Sequence, residues 1–198
     1  MSSPPTQIEA EYQLDPLGDI TLVATAPTEP ERHLRASCKT LCLASSVFIA
    51  MIGPDSSSSE KRSSRINLVD DNFDALLLVL RAAHLRSRLI PFNISAEKLF
   101  HVAVVCDKYD LTDSVTPWAE IWIRNFKDVA QTSRYDRWLR ISWVFQRATI
   151  FEKVTRRLIL ETEFDLAGNL VTEGGESFAE GIPDTVIGTV VLPFSSFR

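Results

Sequence analysis

The pattern of apolar and polar positions predicts short strands followed by amphipathic helices. Residues 19–25 alternate with a period of two, which predicts a strand with one face more apolar than the other. Residues 33–36 and 65–69 predict two further short strands. Residues 41–52 instead repeat their apolar positions at intervals of three and four, which predicts one amphipathic helix ended by Gly53-Pro54. The predicted core face of this central helix consists of Leu41, Ala44, Phe48, Met51 and Ile52.

Five more segments predict helices. Asp70–Asn72 and Ser95 each supply a side-chain cap before an apolar stripe, as Ser37 or Thr40 does before the central helix. Thr116-Pro117 predicts the start of another helix, because proline is tolerated in the first helical turn. The stripes within residues 138–145 and 150–163 predict the last two helices.

Two segments, residues 1–13 and 55–64, lack such periodicity. Residues 1–13 are rich in Ser, Pro, Thr and Gln, which predicts disorder. Residues 55–64 contain four consecutive serines between charged residues, which predicts an exposed mobile loop. Because Lys61-Arg62 immediately precede them, Ser63 and Ser64 are candidate phosphorylation sites.

The order of these elements resembles the BTB/POZ domain, in the form common among fungal BTB proteins. The resemblance is carried by DITLVAT, LRASCKTLCLASSVFIAMI and RINLVDDNFDALLLVLRAAH, followed by Lys108-Tyr109-Asp110 and Pro117-Trp118. It implies an α/β (α+β) fold in which a helical cluster flanks a small sheet. It also implies a BTB domain at 14–122. The apolar stripes that follow predict a helical C-terminal extension at 123–163, and the acidic, glycine-rich composition with weak periodicity predicts a poorly ordered tail at 164–198.

The resemblance implies a protein–protein interaction module rather than an enzyme. Such domains form homo- or hetero-oligomers and recruit protein partners, commonly as homodimers through the central helix region and the N-terminal segment. Some act as substrate adaptors by docking a cullin scaffold in a ubiquitin ligase, but the loop motif usually reported for them is not evident in residues 53–64. Asp19 matches an aspartate of the family's charged pocket, whereas the nearest basic residue, Lys39, is displaced by one position. The candidate interaction surface consists of Asp19, Lys39, Val47, Lys108 and Tyr109.

The net charge and its distribution along the chain bear on whether nucleic acid or a membrane is a partner. A net charge of −5 over 198 residues gives no global reason to expect nucleic acid or an anionic membrane. Residues 124–157 nevertheless hold nine basic and three acidic residues, with Trp138 and Trp143 as candidate stacking platforms. A nucleic-acid-associated transcriptional regulator is therefore the alternative from another class. The helical spacing of the two tryptophans favours a core position instead.

No catalytic or cofactor motif is present in the sequence, since GxSxG, HExxH, GxxxxGK and GxGxxG are all absent. Cys38 and Cys42 lie one helical turn apart, but a structural zinc site needs about four ligands at compact spacing. We therefore expect no enzyme activity, metal, cofactor or small-molecule substrate. Three cysteines, no apolar signal segment and no apolar run near ~20 residues predict an intracellular protein, cytoplasmic or nuclear, without a membrane span.

Overall fold

The structure, a computed structural model, describes residues 11–27, 29–54, 65–126, 134–161, 163–164, 170–171 and 177. Ser63 and Ser64, the predicted loop at 55–64 and nearly all of the predicted tail at 164–198 lie outside the described residues. The described chain is a mixed α/β, α+β structure with a small sheet and seven helices. It divides into two compact units, which are described separately below.

A four-stranded sheet belongs to the first unit, which comprises the described residues within Met1–Pro91 and Val105–Val115. The sheet has the order β1-β3-β2-β4, with β2 antiparallel to β3 and the other two pairs parallel. β1 lies inside the segment for which composition predicts disorder. Pairing with β3 orders it, and the Tyr12 ring contacts Phe73 with ring centroids 5.0 Å apart. The strands are β1 (Glu11–Gln13), β2 (Ile20–Ala26), β3 (Glu29–Ala36) and β4 (Arg65–Val69).

One face of the sheet is buried because apolar side chains recur at every second position. Leu22 in β2 lies in register with Leu34 in β3 and Ile66 in β4, and all three are nearly inaccessible to solvent. Gly18 allows the turn before β2 to approach β3 closely, since a Cβ atom there would lie 2.6 Å from the Ala36 carbonyl oxygen. The prediction of a strand at residues 65–69 is confirmed with the same bounds.

The predicted central helix is divided in two. α1 (Cys38–Ala44) and α2 (Ser46–Ile52) are separated by Ser45, which has extended backbone angles of φ −148° and ψ 124°. The buried Ser45 hydroxyl accepts the Phe48 N–H at 2.9 Å and donates to the Tyr109 carbonyl at 2.5 Å. The prediction of one continuous helix is therefore wrong, because Ser45 ends α1 and caps α2. Of the predicted core face, Leu41, Phe48 and Ile52 are buried, whereas Ala44 and Met51 are half-buried.

The predicted helix caps Ser37, Asn72 and Ser95 are confirmed. The Ser37 hydroxyl accepts the Thr40 N–H at 3.2 Å at the start of α1. Asn72 accepts the Ala75 N–H at 3.0 Å at the start of α3 (Phe73–Ala83), which is the most deeply buried helix of the first unit. Ser95 accepts the Lys98 N–H at 3.1 Å at the start of α4 (Ala96–Tyr109).

Two helices contribute residues to both units. α4 passes from the second unit into the first, and α5 (Thr112–Arg124) passes back into the second. The predicted helix start at Thr116-Pro117 is wrong, because burial of Val115 favours a helix that begins one turn earlier. Pro117 consequently lies inside α5, where it has no N–H to donate to the carbonyl four residues before it. The unit boundaries lie within these helices, whereas the resemblance implies a domain boundary at 122.

The second unit comprises the described residues within Phe92–Val104 and Thr116–Arg198. Its helices α6 (Tyr135–Val144) and α7 (Ala148–Glu161) pack together and agree, within a few residues, with the two predicted helices. A short antiparallel pair follows, formed by β5 (Glu163–Phe164) and β6 (Leu170–Val171). None of the described helices is both long and apolar enough to cross a lipid bilayer. The core of this unit includes Trp122, Trp138, Leu139, Ile141, Val154 and Leu158.

Candidate functional site

An open groove with a volume of about 600 Å³ lies on the first unit. Four chain segments border it: the turn after β1, α1, the carboxyl end of α3, and the amino end of α5. Apolar atoms come from Leu14, Leu43, Ala44, Ala83 and Leu85. The groove therefore combines apolar walls with a few charged side chains, Asp15, Arg86 and Asp113 among them.

Two leucines at this groove face solvent almost completely. Leu43 is 87% exposed and Leu85 is 86% exposed. Leu17, whose N–H donates to groove residue Asp15 at 2.9 Å, is 89% exposed. Single exposed leucines are ordinary, but neighbouring exposed leucines beside a groove form the kind of apolar patch that marks interaction sites. We call this surface, formed by Leu43, Leu85 and the groove between them, the leucine groove.

Leu85 also has a strained backbone. It follows α3 with a φ of 56°, in the left-handed region that non-glycine residues avoid. Its N–H donates to the Ala82 carbonyl at 3.0 Å, and the next N–H, of Arg86, donates to the Arg81 carbonyl at 2.8 Å. These two bonds form the Schellman motif, in which glycine usually occupies the position of Leu85. The fold therefore tolerates a strained leucine whose side chain gains almost no burial within its own chain.

Replacing Leu85 with glycine is expected to raise the unfolding free energy by about 1 kcal/mol, because glycine adopts a positive φ without the steric penalty. Urea denaturation monitored by circular dichroism measures this change. Leu85→Ala is the matched control, since alanine also lacks the leucine side chain but keeps the penalty. A glycine variant no more stable than the alanine variant would contradict the assignment of strain.

His84 joins two walls of the leucine groove. Its Nδ1 lies 2.9 Å from the Leu80 carbonyl oxygen within α3, so Nδ1 carries the proton and donates. Its Nε2 accepts the Ser37 N–H at 3.2 Å, and Ser37 is the cap of α1. Burial lowers the pKa of His84 below its usual value, while the hydrogen bond to the Leu80 carbonyl and the nearby Asp15 carboxylate act in the opposite direction. The neutral ring is thus the form that fits both partners.

The segment Lys108-Tyr109-Asp110 stabilises the interior of the first unit. The Tyr109 hydroxyl donates to Asp71 at 2.6 Å, and the Lys108 ammonium donates to the other Asp71 oxygen at 2.9 Å. The Tyr109 ring stacks on Phe48, with centroids 5.5 Å apart. Burial raises the pKa of Tyr109, and the hydrogen bond to Asp71 does so as well. Tyr109, which the sequence predicts on an interaction surface, is buried within its own chain.

The other predicted surface residues lie outside the leucine groove. Asp19 is exposed and accepts the Cys38 N–H at 2.7 Å, so its carboxylate caps the start of α1. Lys39 is exposed, Val47 is half-buried, and Lys108 is held by Asp71. No ion pair joins Asp19 to Lys39 among the described residues, so the two do not form a charged pocket there.

The described cysteines and histidines do not form a metal site. Cys38 and Cys42 are half-buried and Cys106 is buried. No group of three or more histidine, cysteine, aspartate or glutamate side chains in the described ranges is placed to hold a metal ion. A structural zinc ion needs about four such ligands, so the two neighbouring thiols of α1 do not suffice.

The two tryptophans of α6 differ in exposure. Trp138 is 1% exposed and lies in the core, as its spacing predicts. Trp143 is 55% exposed, so the prediction of a core position is wrong for this residue. Its ring contacts Phe151 on α7, with ring centroids 5.9 Å apart. Several arginines around these helices form ion pairs with carboxylates, which reduces the charge available to a phosphate backbone: Arg137 with Glu97, Arg147 with Glu120, Arg156 with Glu152, and Arg157 with Glu161.

Comparison with models of protein families gave no match, and comparison with curated proteins gave none either.

Sequence reasoning missed the leucine groove. Leu43 lies off the apolar stripe of the predicted central helix. This position was the one signal in the sequence, because an apolar residue outside the core face is predicted to be exposed to solvent or covered by a partner. Leu85 follows a helix at a position where the sequence does not reveal a positive φ. Their proximity depends on how α1, α3 and α5 pack, which no local pattern specifies.

Proposed function

We propose that this chain is a protein–protein interaction module of the BTB/POZ type that self-associates and recruits partners through the leucine groove. The observation that carries this proposal is the near-complete exposure of Leu43 and Leu85 at one groove. Burying a leucine side chain contributes about 1.5–3 kcal/mol, so two leucines covered by a partner supply a useful part of a binding free energy.

The strain at Leu85 supports the same proposal. A leucine held at positive φ costs about 1–2 kcal/mol, and burial within its own chain returns almost none of this cost. Strained residues cluster at binding and switch sites, where a second molecule makes use of them. A partner that covers the Leu85 side chain gives this position a physical role.

A second copy of the chain is the simplest partner. The resemblance implies homodimerisation through the central helix region and the N-terminal segment. Both regions border the leucine groove, because α1 supplies Leu43 and the turn after β1 supplies Leu14 and Asp15. No observation on the described residues favours the cullin adaptor or the transcriptional regulator over self-association.

Sedimentation velocity of the full chain over a range of concentrations tests the proposal. We expect a monomer–dimer equilibrium, and we expect the double variant Leu43→Ser, Leu85→Ser to weaken it by at least about 100-fold, because each copy loses two leucines that the dimer would bury. Leu160→Ser is the matched control, since Leu160 is 61% exposed on α7 of the second unit. A monomeric wild type, or equal association of the double variant and the control, would reject self-association through this surface.

A further inference from the structure

We propose that His84 is a pH-dependent latch of the leucine groove, whose neutral ring holds the start of α1 against the end of α3 and whose protonation releases α1 and weakens self-association. This inference rests on the proposed function of the groove. It concerns the regulation of that surface, and the experiments below separate its failure from failure of the proposed function.

The latch consists of two hydrogen bonds that only a neutral imidazole can make together. Nδ1–H donates to the Leu80 carbonyl at 2.9 Å, and Nε2 accepts the Ser37 N–H at 3.2 Å. In the imidazolium form both ring nitrogens are donors. Protonation would therefore place the Nε2–H directly against the Ser37 N–H, and two donors at that distance repel each other.

The disturbance reaches the groove through the cap of α1. The Ser37 hydroxyl accepts the Thr40 N–H at 3.2 Å, so the orientation of Ser37 fixes the first turn of this helix. Thr40, Leu43 and Ala44 line the groove from α1, and His84 and Leu85 line it from the segment that follows α3. Loss of the hydrogen bond from the Ser37 N–H to His84 is therefore expected to loosen the contact between α1, which carries Leu43, and the segment after α3, which carries Leu85.

The charged groups around His84 act in both directions on its pKa, and burial decides the net shift. Asp15, from the turn after β1, favours the protonated ring, whereas Arg86 after α3 disfavours it and also donates its Nε–H to the Leu14 carbonyl at 2.6 Å. Asp113, at the start of α5, lines the same groove. Asp19 accepts the N–H of Cys38, next to Ser37. Burial outweighs the Asp15 charge and lowers the pKa of His84, so the latch is closed at neutral pH and opens in acid.

Self-association measured by sedimentation velocity from about pH 7.5 down to a pH at which nuclear magnetic resonance shows the His84 ring to be protonated tests the latch, because burial lowers the pKa of His84 below the usual histidine value. We expect the dissociation constant of wild type to rise about tenfold at the acid end, the factor associated with one hydrogen bond. Acidification also reduces the net charge of −5, which on its own would strengthen association. A weakening therefore runs against the general electrostatic trend.

Two variants assign the effect to His84. His84→Gln places an amide oxygen where Nε2 lies and does not titrate, so its dissociation constant is expected to change less than about twofold over the same range. His101→Gln is the matched control, because His101 belongs to the second unit and its pKa is also lowered by burial. This control is expected to keep the full wild-type response. Equal pH responses of wild type and His84→Gln would overturn the latch.

Nuclear magnetic resonance of wild type gives a second readout that needs no partner and no variant. We expect the Ser37 amide and the Leu43 and Leu85 methyl resonances to titrate together with the His84 ring. Leucine methyls that do not follow His84 would overturn the latch, even if the chain dimerises. If the methyls follow His84 while the chain is monomeric at every pH, the coupling of His84 to α1 stands, whereas self-association and its control by His84 are rejected.

Discussion

Replacing Phe48 with aspartate is expected to lower the unfolding free energy by about 4 kcal/mol or more, enough to unfold a marginally stable domain. Phe48 is completely buried and stacks on Tyr109 with an interplanar angle of 12°. A carboxylate at this position loses the stacking contact and is buried away from water. Urea denaturation, with the midpoint and slope fitted together, measures the change.

Two controls make this result specific. Phe48→Leu keeps an apolar side chain and should cost clearly less than the aspartate, mainly through a small cavity. Ile49→Asp introduces the same charge one residue along α2, where the side chain is 51% exposed, and should change stability by about 0.5 kcal/mol or less. If Phe48→Asp proved as mild as Ile49→Asp, the orientation of α2 described above would be wrong.

Replacing Asp71 with alanine is expected to lower the unfolding free energy by about 3 kcal/mol, because it leaves a buried hydroxyl without an acceptor. The Asp71 carboxylate is 3% exposed and receives hydrogen bonds from Tyr109 and Lys108. The Lys108 ammonium also donates to the Val69 carbonyl at 2.8 Å, so removal of Asp71 disturbs the junction between β4 and α4. Chemical denaturation near neutral pH measures the loss.

A double-mutant cycle isolates the contact that carries this effect. Tyr109→Phe removes the hydroxyl that loses its acceptor when Asp71 is replaced. Asp71→Ala should therefore lower the unfolding free energy by at least about 1 kcal/mol less in the Tyr109→Phe background than in wild type. Asp71→Asn keeps an oxygen acceptor and should be milder than alanine. Additive losses in the cycle would show that the hydroxyl and the carboxylate do not depend on each other.

The sequence predicts those parts of the fold that depend on neighbouring residues. β4 and the caps Ser37, Asn72 and Ser95 are local features, since strand alternation and a hydroxyl or amide before an apolar stripe operate over a few residues. The break at Ser45 could not be predicted in this way. Ser45 fits the apolar period of one helix, and the bond that separates α1 from α2 joins it to a residue 64 positions later.

The candidate site illustrates the same limit. Tyr109 looks like a surface residue in the sequence because it stands between a lysine and an aspartate, yet Asp71 and Phe48 enclose it. Leu85 looks like the last apolar residue of a helix, yet it is turned outward by a positive φ. Both outcomes depend on tertiary packing, so the sequence predicts a protein-interaction module without locating its surface.

The helix break at Ser45 also affects how the chain is made. α1 and α2 have seven residues each, which is too short for a helix to persist alone in water. The Ser45 and Ser46 hydroxyls bond Tyr109 and Asp110, each 64 residues further along. At ribosomal rates of about 5–20 residues per second, those 64 positions take roughly 3–13 s to synthesise. For that interval the nascent chain contains Phe48 but not Tyr109, so the ring stack between these two residues cannot yet form.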